Sequence, residues 1–165
     1  MKIGIAAAAA LGLVIGISSI TMAAERDNQI RRGKYLVAIR DCTGCHTPGG
    51  LVGQPDSKRF LAGADIGFGT PVAYIYPPNL TPDRETGLGR WSEADIVKAI
   101  RTGVRPDGRI LLVMPWRSYA ALGKADAAAI VAYLKSLPAI QNAVPPITAV
   151  GAKVPAPYLD VVMPK

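Results

Sequence analysis

Residues 42–46 read Cys42-Thr43-Gly44-Cys45-His46, and no other segment limits so tightly what this chain can fold into. Two thiols three positions apart, followed at once by an imidazole, form the attachment string for c-type haem. The thiols reach the two vinyl groups on one edge of a porphyrin, and the histidine comes beneath the iron as its proximal ligand. Haem held this way takes its properties from the axial ligands, the local dielectric and the surrounding hydrogen bonds.

Other readings of the same cysteines meet obstacles. A thioredoxin-like redox pair belongs to a βαβ pattern, and none is visible. A zinc site normally takes four ligands from Cys and His, whereas this chain has 2 Cys and 1 His. A disulfide is the usual expectation for two cysteines in an exported chain, but it would leave His46 idle. The single histidine also excludes bis-histidine ligation within the chain, a second haem with the same motif, and catalytic triads that need a free imidazole.

The first two dozen residues differ in kind from the rest. Lys2 is a positive start, Ile3 to Ile20 is an uncharged apolar run, and Thr21-Met22-Ala23 has the small-x-small pattern of a signal-peptidase site. Residues 1–23 are therefore expected to be a signal peptide, cleaved after Ala23 or Ala24, that delivers the rest to the periplasm. An uncleaved membrane anchor stays open, because the apolar stretch is nearly long enough to span a bilayer. Removing residues 1–23 takes away one cation, so 18 Lys and Arg face 12 Asp and Glu. The basic residues are scattered rather than interleaved with aromatics, which argues against nucleic-acid binding. Docking to an acidic redox partner fits the charge, and so does an ordinary solvated surface.

The sixth iron ligand must come from elsewhere. Past the signal only Met114 and Met163 remain. Met163 lies three positions from the end in a Pro- and Val-rich tail, whereas Met114 sits in the apolar loop Ile110-Leu111-Leu112-Val113-Met114-Pro115-Trp116. Thioether sulfur is a soft ligand that raises haem potential, and Pro115 favours an extended backbone at Met114. Met114 is the expected ligand; Met163, a Lys or an open position are the alternatives, and a lone Met can also be core filler.

Three helices and a long loop are expected around the haem. Asp27 to Ile39 places Ile30, Gly33 and Val37 on one face, with Leu36 beside it. Gly33 inside a helix is costly by about 1 kcal/mol against Ala, which implies close approach of another backbone or ring. Residues 47–90 are rich in Gly and Pro; the haem supplies the apolar core such a loop covers, and Pro77-Pro78 would end any short strand around Val72 to Tyr76. Ser92 and Asp95 form a capping-box-like helix start, and Gly103 ends that helix. The last helix spans Ala125 to Leu137, with Ile130, Leu134 and Leu137 on one stripe. Residues 139–165 read as an extended Pro-rich tail, laid on the domain or left free for a partner.

These residues resemble a class I cytochrome c, most of all the bacterial monohaem cytochromes associated with periplasmic or membrane-bound dehydrogenases. The resemblance covers about residues 30–138 and rests on Gly33-Lys34-Tyr35-Leu36, the Cys42–His46 string, Tyr76-Pro77-Pro78-Asn79-Leu80-Thr81-Pro82-Asp83, Gly87-Leu88-Gly89-Arg90-Trp91-Ser92, Met114-Pro115, and Ala129-Ile130-Val131-Ala132-Tyr133-Leu134. It implies an all-α domain over residues 27–138, with crossing first and last helices around one covalent haem and Gly33 against the ring of Tyr133. It also implies Met114 as distal ligand, with Asn79 and Trp91 lining the pocket or meeting the propionates. Dehydrogenase cytochrome subunits often carry three haem domains, whereas this chain has one such motif, which favours a small accessory subunit or shuttle. The expected function is electron transfer without catalysis, from a dehydrogenase towards a cytochrome or terminal oxidase. A haem protein with an open distal site, acting as an enzyme or gas sensor, is the alternative, and a haem-free thiol oxidoreductase using Cys42 and Cys45 is a third reading.

Overall fold

The computed structural model describes the backbone of residues 5–162 and the side chains of residues 22–162. The export signal expected over residues 1–23 falls almost wholly outside the described side chains, and the alternative ligand Met163 lies outside the described residues. Among the described residues there are five helices: α1 (Ile5–Ile39), α2 (Cys42–His46), α3 (Glu93–Thr102), α4 (Trp116–Tyr119) and α5 (Lys124–Ser136). Four short strands accompany them: β1 (Gly67–Gly69), β2 (Ala73–Ile75), β3 (Thr148–Ala149) and β4 (Tyr158–Leu159).

The core forms where α1 crosses α5. Leu36 and Val37 from α1 meet Ala129, Ile130, Val131, Tyr133 and Leu134 from α5, with Ile96 and Ile100 of α3 closing the third side. Each such aliphatic side chain contributes roughly 1.5–3 kcal/mol when fully buried. The axes come close because Gly33 has no side chain. A Cβ built there would stand 1.9 Å from the Ala129 carbonyl oxygen and 2.7 Å from the Cβ of Tyr133. The close approach anticipated at Gly33 is thus made by backbone against backbone, with the stem of Tyr133 next to it. Arg32 and Asp126 join the same two helices on the solvent side, with Nε to Oδ1 at 2.9 Å.

Helix ends follow local chemistry. Ser92 Oγ accepts from the Asp95 N–H at 3.1 Å while the Asp95 carboxylate accepts from the Ser92 N–H, also at 3.1 Å, which completes a capping box for α3. Gly103 closes α3 at φ 73, the left-handed region a glycine enters at little expense. The last helix runs one residue earlier at both ends than the sequence pattern implies, from Lys124 to Ser136, with Leu137 as its C-cap.

The all-α expectation is wrong in one region: the molecule carries a four-stranded mixed sheet ordered β3-β2-β1-β4. β1 and β2 form a hairpin with Phe68 opposite Ile75, and Pro77-Pro78 then stops β2. A two-strand hairpin leaves two open edges with unpaired backbone groups. The Pro-rich tail, which is unable to be helical, covers both. Its β3 runs antiparallel to β2 and its β4 parallel to β1. The tail is therefore laid on the domain, held also by the Tyr76 hydroxyl donating to the Ala156 carbonyl at 2.6 Å. Among the residues with described side chains, no helix is long and apolar enough to cross a membrane.

Gly33→Ala is expected to lower stability by about 3 kcal/mol, because the new methyl meets backbone that has no rotamer to yield; chemical denaturation of the full chain measures it. Ser92→Ala removes the cap of α3 and is expected to lower stability by about 1 kcal/mol in the same assay. Hydrogen bonding and attraction from Arg32 hold the Asp126 carboxyl below its ordinary 3.8. That contribution is present above pH 3.8 and is lost as the pH falls through the lower folded value. Acid titration of stability should accordingly fall less steeply in Asp126→Asn than in wild type.

Candidate functional site

The crossing of α1 and α5 delivers the chain to a single tight turn. After Ile39 the backbone reverses through Asp41 at φ 50, and α2 follows at once with Cys42, Cys45 and His46 on five residues. Asp41 caps this turn, its Oδ1 accepting from the Gly44 N–H at 3.1 Å. A Cβ on Gly44 would stand 2.6 Å from Asp41 Oδ2, so the cap and the glycine between the cysteines depend on each other. Both cysteines are free thiols and partly buried. Burial pushes the Cys42 thiol up to about 11 and raises Cys45 as well, with the Asp41 carboxylate adding to both.

His46 is held from two sides. Its carbonyl accepts from the Gly63 N–H at 2.8 Å, and its ring Nδ1 lies 2.8 Å from the Pro78 carbonyl oxygen. A carbonyl oxygen only accepts, so Nδ1 carries the hydrogen and Nε2 keeps its lone pair. Burial pulls the ring below the ordinary histidine range, partly offset by the Pro78 hydrogen bond. A neutral imidazole with Nε2 free is the state a metal ligand needs. Two unpaired thiols on the same turn therefore fit a haem bound through both sulfurs and His46.

Met114 packs, partly buried, against the same apolar cluster as Cys42, Leu80, Trp91 and Tyr119. Its loop is pinned on both sides by Trp116. The indole Nε1 donates to the Leu111 carbonyl at 3.1 Å, and the Trp116 N–H donates to the Met114 carbonyl at 2.8 Å. Trp116 in turn lies against Gly103, where a Cβ would stand 2.5 Å from the ring. Tyr119, one turn further along α4, donates to the Arg40 carbonyl at 3.1 Å and ties the Met114 segment to the residue two before Cys42.

Asn79 is 1% exposed, and its amide is fully engaged within the protein. Its Oδ1 accepts from the N–H and hydroxyl of Thr81 at 2.9 and 2.8 Å, and its Nδ2 donates to Thr86 Oγ1 and the Ile140 carbonyl at 3.0 and 2.7 Å. Both lone pairs and both hydrogens are used, so Asn79 organises the loop behind His46. Trp91 packs on the core with the Arg105 guanidinium 5.1 Å from its ring centre, and its carbonyl accepts from Lys135 Nζ at 2.7 Å.

Three contributors carry no advance signal in the sequence. Pro78 acts through a backbone carbonyl, which any residue could offer. Trp116 follows the Met-Pro pair, and only the observed turn reveals that its indole closes the loop. Lys135 reads as an ordinary surface cation of α5, yet its ammonium holds the carbonyls of Leu88 and Trp91.

A family model described as cytochrome c matches residues 30–138. The gluconate 2-dehydrogenase cytochrome c subunit of Pantoea cypripedii is 39% identical over 127 residues, 74% of this chain and 27% of that protein. The cytochrome c subunit of alcohol dehydrogenase (quinone) from Gluconobacter oxydans (strain 621H) is 36% identical over 154 residues, 90% of this chain and 30% of its own length. The fructose dehydrogenase cytochrome subunit of Gluconobacter japonicus is 34% identical over 139 residues, 84% of this chain and 26% of that subunit. The chain spans less than a third of the length of these relatives. With the match extending over the end of α1, the whole of α5, the Cys42–His46 turn and the Met114 loop, the chain belongs to the cytochrome c family, proteins that carry electrons on a covalently attached haem.

Proposed function

We propose that this chain is a periplasmic electron carrier with one haem c, bound through Cys42 and Cys45 and ligated by His46 and Met114. It takes electrons from a dehydrogenase and passes them towards the respiratory chain, and it transforms no substrate itself. The observation that carries the reading is the His46 ring, oriented by the Pro78 carbonyl with Nε2 left to bind iron, on the same turn as two free thiols. The haem supplies the alternation between ferric and ferrous iron; the protein supplies fixed ligands, so that little needs to reorganise between the two states. Met114 qualifies as the second ligand by its place on the same apolar cluster as Cys42 and by the Trp116 contacts that hold its loop. Trp91, with the Arg105 cation over its ring, lines the pocket wall.

A dehydrogenase as donor is supported by the relatives, whose names make them cytochrome subunits of gluconate, alcohol and fructose dehydrogenases. A cationic surface suits docking to an acidic face of such a partner, since complementary charge mainly raises the encounter rate. Export is supported by the Lys2-led apolar segment and its small-x-small end, whether the segment is removed or kept as an anchor.

Optical spectra of the protein, made in a host that matures c-type haem, test the reading. The oxidised wild type should show the far-red sulfur-to-iron charge-transfer band, and Met114→Ala should abolish it. The same substitution should lower the midpoint potential by on the order of a tenth of a volt, within the roughly 0.8 V that axial ligands span. A band that survives the substitution would move the ligand to Met163. A high-spin wild-type haem that binds carbon monoxide would overturn the electron-carrier reading in favour of an open distal site.

A further inference from the structure

The segment just beyond the family match bears on the Nδ1 side of His46. Two loops hold that histidine, one through the Gly63 N–H and one through the Pro78 carbonyl, each at 2.8 Å. The loops are joined to each other by Leu80 N–H to the Leu61 carbonyl at 2.9 Å and Ala64 N–H to the Pro77 carbonyl at 3.0 Å. Neither belongs to a helix. Pro77 and Pro78 also lack N–H groups, so the two residues around the crucial carbonyl offer no backbone donor to anchor it. Its position has to come from neighbours.

Residues 140–144 are those neighbours, and they touch both loops. The Ile140 carbonyl accepts from Asn79 Nδ2 at 2.7 Å, and the Ile140 N–H donates to Thr81 Oγ1 at 3.2 Å, next to Pro78. Asn142 Nδ2 donates to the Ala62 carbonyl at 2.7 Å, next to Gly63, and its N–H donates to Thr86 Oγ1 at 3.0 Å. Val144 presses on Gly63 itself, where a Cβ would stand 2.3 Å from its methyl. The family match ends at residue 138, so these contacts come from outside the matched domain.

We infer that the start of the C-terminal tail, above all Asn142 and Val144, is a strap that positions the proximal histidine by fixing the two loops bonded to it. Through the His46–Pro78 hydrogen bond it sets the basicity of the imidazole and hence the haem potential. The physical link is direct. A hydrogen bond from Nδ1 to a carbonyl makes the imidazole a stronger donor to the metal, which favours the ferric state. Loosening the strap lets the Pro78 carbonyl drift, weakens that bond and favours the ferrous state. Asn142 is thus a positioning residue that acts through Ala62 and Thr86. The inference rests on the haem reading above.

The test uses the full-length holoprotein with Asn142→Ala and, as a milder second change, Val144→Ala. Both should raise the midpoint potential. Both should also speed solvent exchange of the His46 Nδ1 proton in the NMR spectrum of the reduced state. Asn142→Gln, which keeps an amide donor, should return part of the shift. Ser92→Ala removes a helix cap whose side-chain bonds run to Asp95 rather than to these loops; it should lower stability while leaving potential and exchange at wild-type values. Unmoved potential and exchange in both strap variants would overturn the inference alone and reduce the tail to a stabilising cover. A matching shift in Ser92→Ala would also overturn it. A wild-type protein with no covalent haem would overturn the haem reading and the strap with it.

Discussion

The close crossing of α1 and α5 at Gly33 sets the geometry of the rest of the molecule. Backbone meets backbone there, at a separation that any side chain at position 33 would forbid. The crossing fixes where α1 ends and so where the Asp41-capped turn begins. It equally fixes where α5 ends, and with it the anchor point of Lys135 and the departure of the tail. Small residues on α5 make the approach workable: Ala127, Ala129 and Ala132 are all buried, so the helix can lie close to α1 without clashes while Ile130 and Leu134 fill the space beside it.

Around that crossing, the site is assembled from segments with little regular structure of their own. His46 stands on a five-residue turn, the Pro78 carbonyl in a proline pair, and Met114 in a loop closed by the Trp116 indole. A short turn or loop supplies no long ladder of hydrogen bonds, so each is tied down by individual bonds from elsewhere. Thr47, fully buried directly after His46, accepts from the Leu61 N–H at 3.0 Å. Leu61 itself sits at φ 56, a strained conformation for a leucine, and is kept there by bonds to Thr47 and Leu80. The stability of the site is accordingly distributed over many single contacts.

The tail shows where the all-α expectation failed. Its five prolines exclude a helix, and an extended segment is what the structure contains. Whether an extended segment hangs free or becomes a strand depends on an available sheet edge. The β1–β2 hairpin provides two edges, each only a few residues long, from a part of the chain some 75 to 90 positions earlier. The all-α fold came from the family resemblance, and strands of two or three residues are too short to show the alternation that would have corrected it.

The sequence by itself determined the elements whose cause is local. The Cys42–His46 string, the capping box at Ser92 and Asp95, the glycine stop at Gly103, and the apolar stripes of α1 and α5 each depend on residues within a few positions of one another. Their chemistry is therefore written where it acts. Tertiary structure alone decided which backbone carbonyl faces the His46 ring, which indole closes the Met114 loop, and what the tail covers. The His46 and tail contacts join residues 32, 61 or 80 positions apart, the indole reaches back five, and a carbonyl or an amide proton looks the same at every position until the chain has folded.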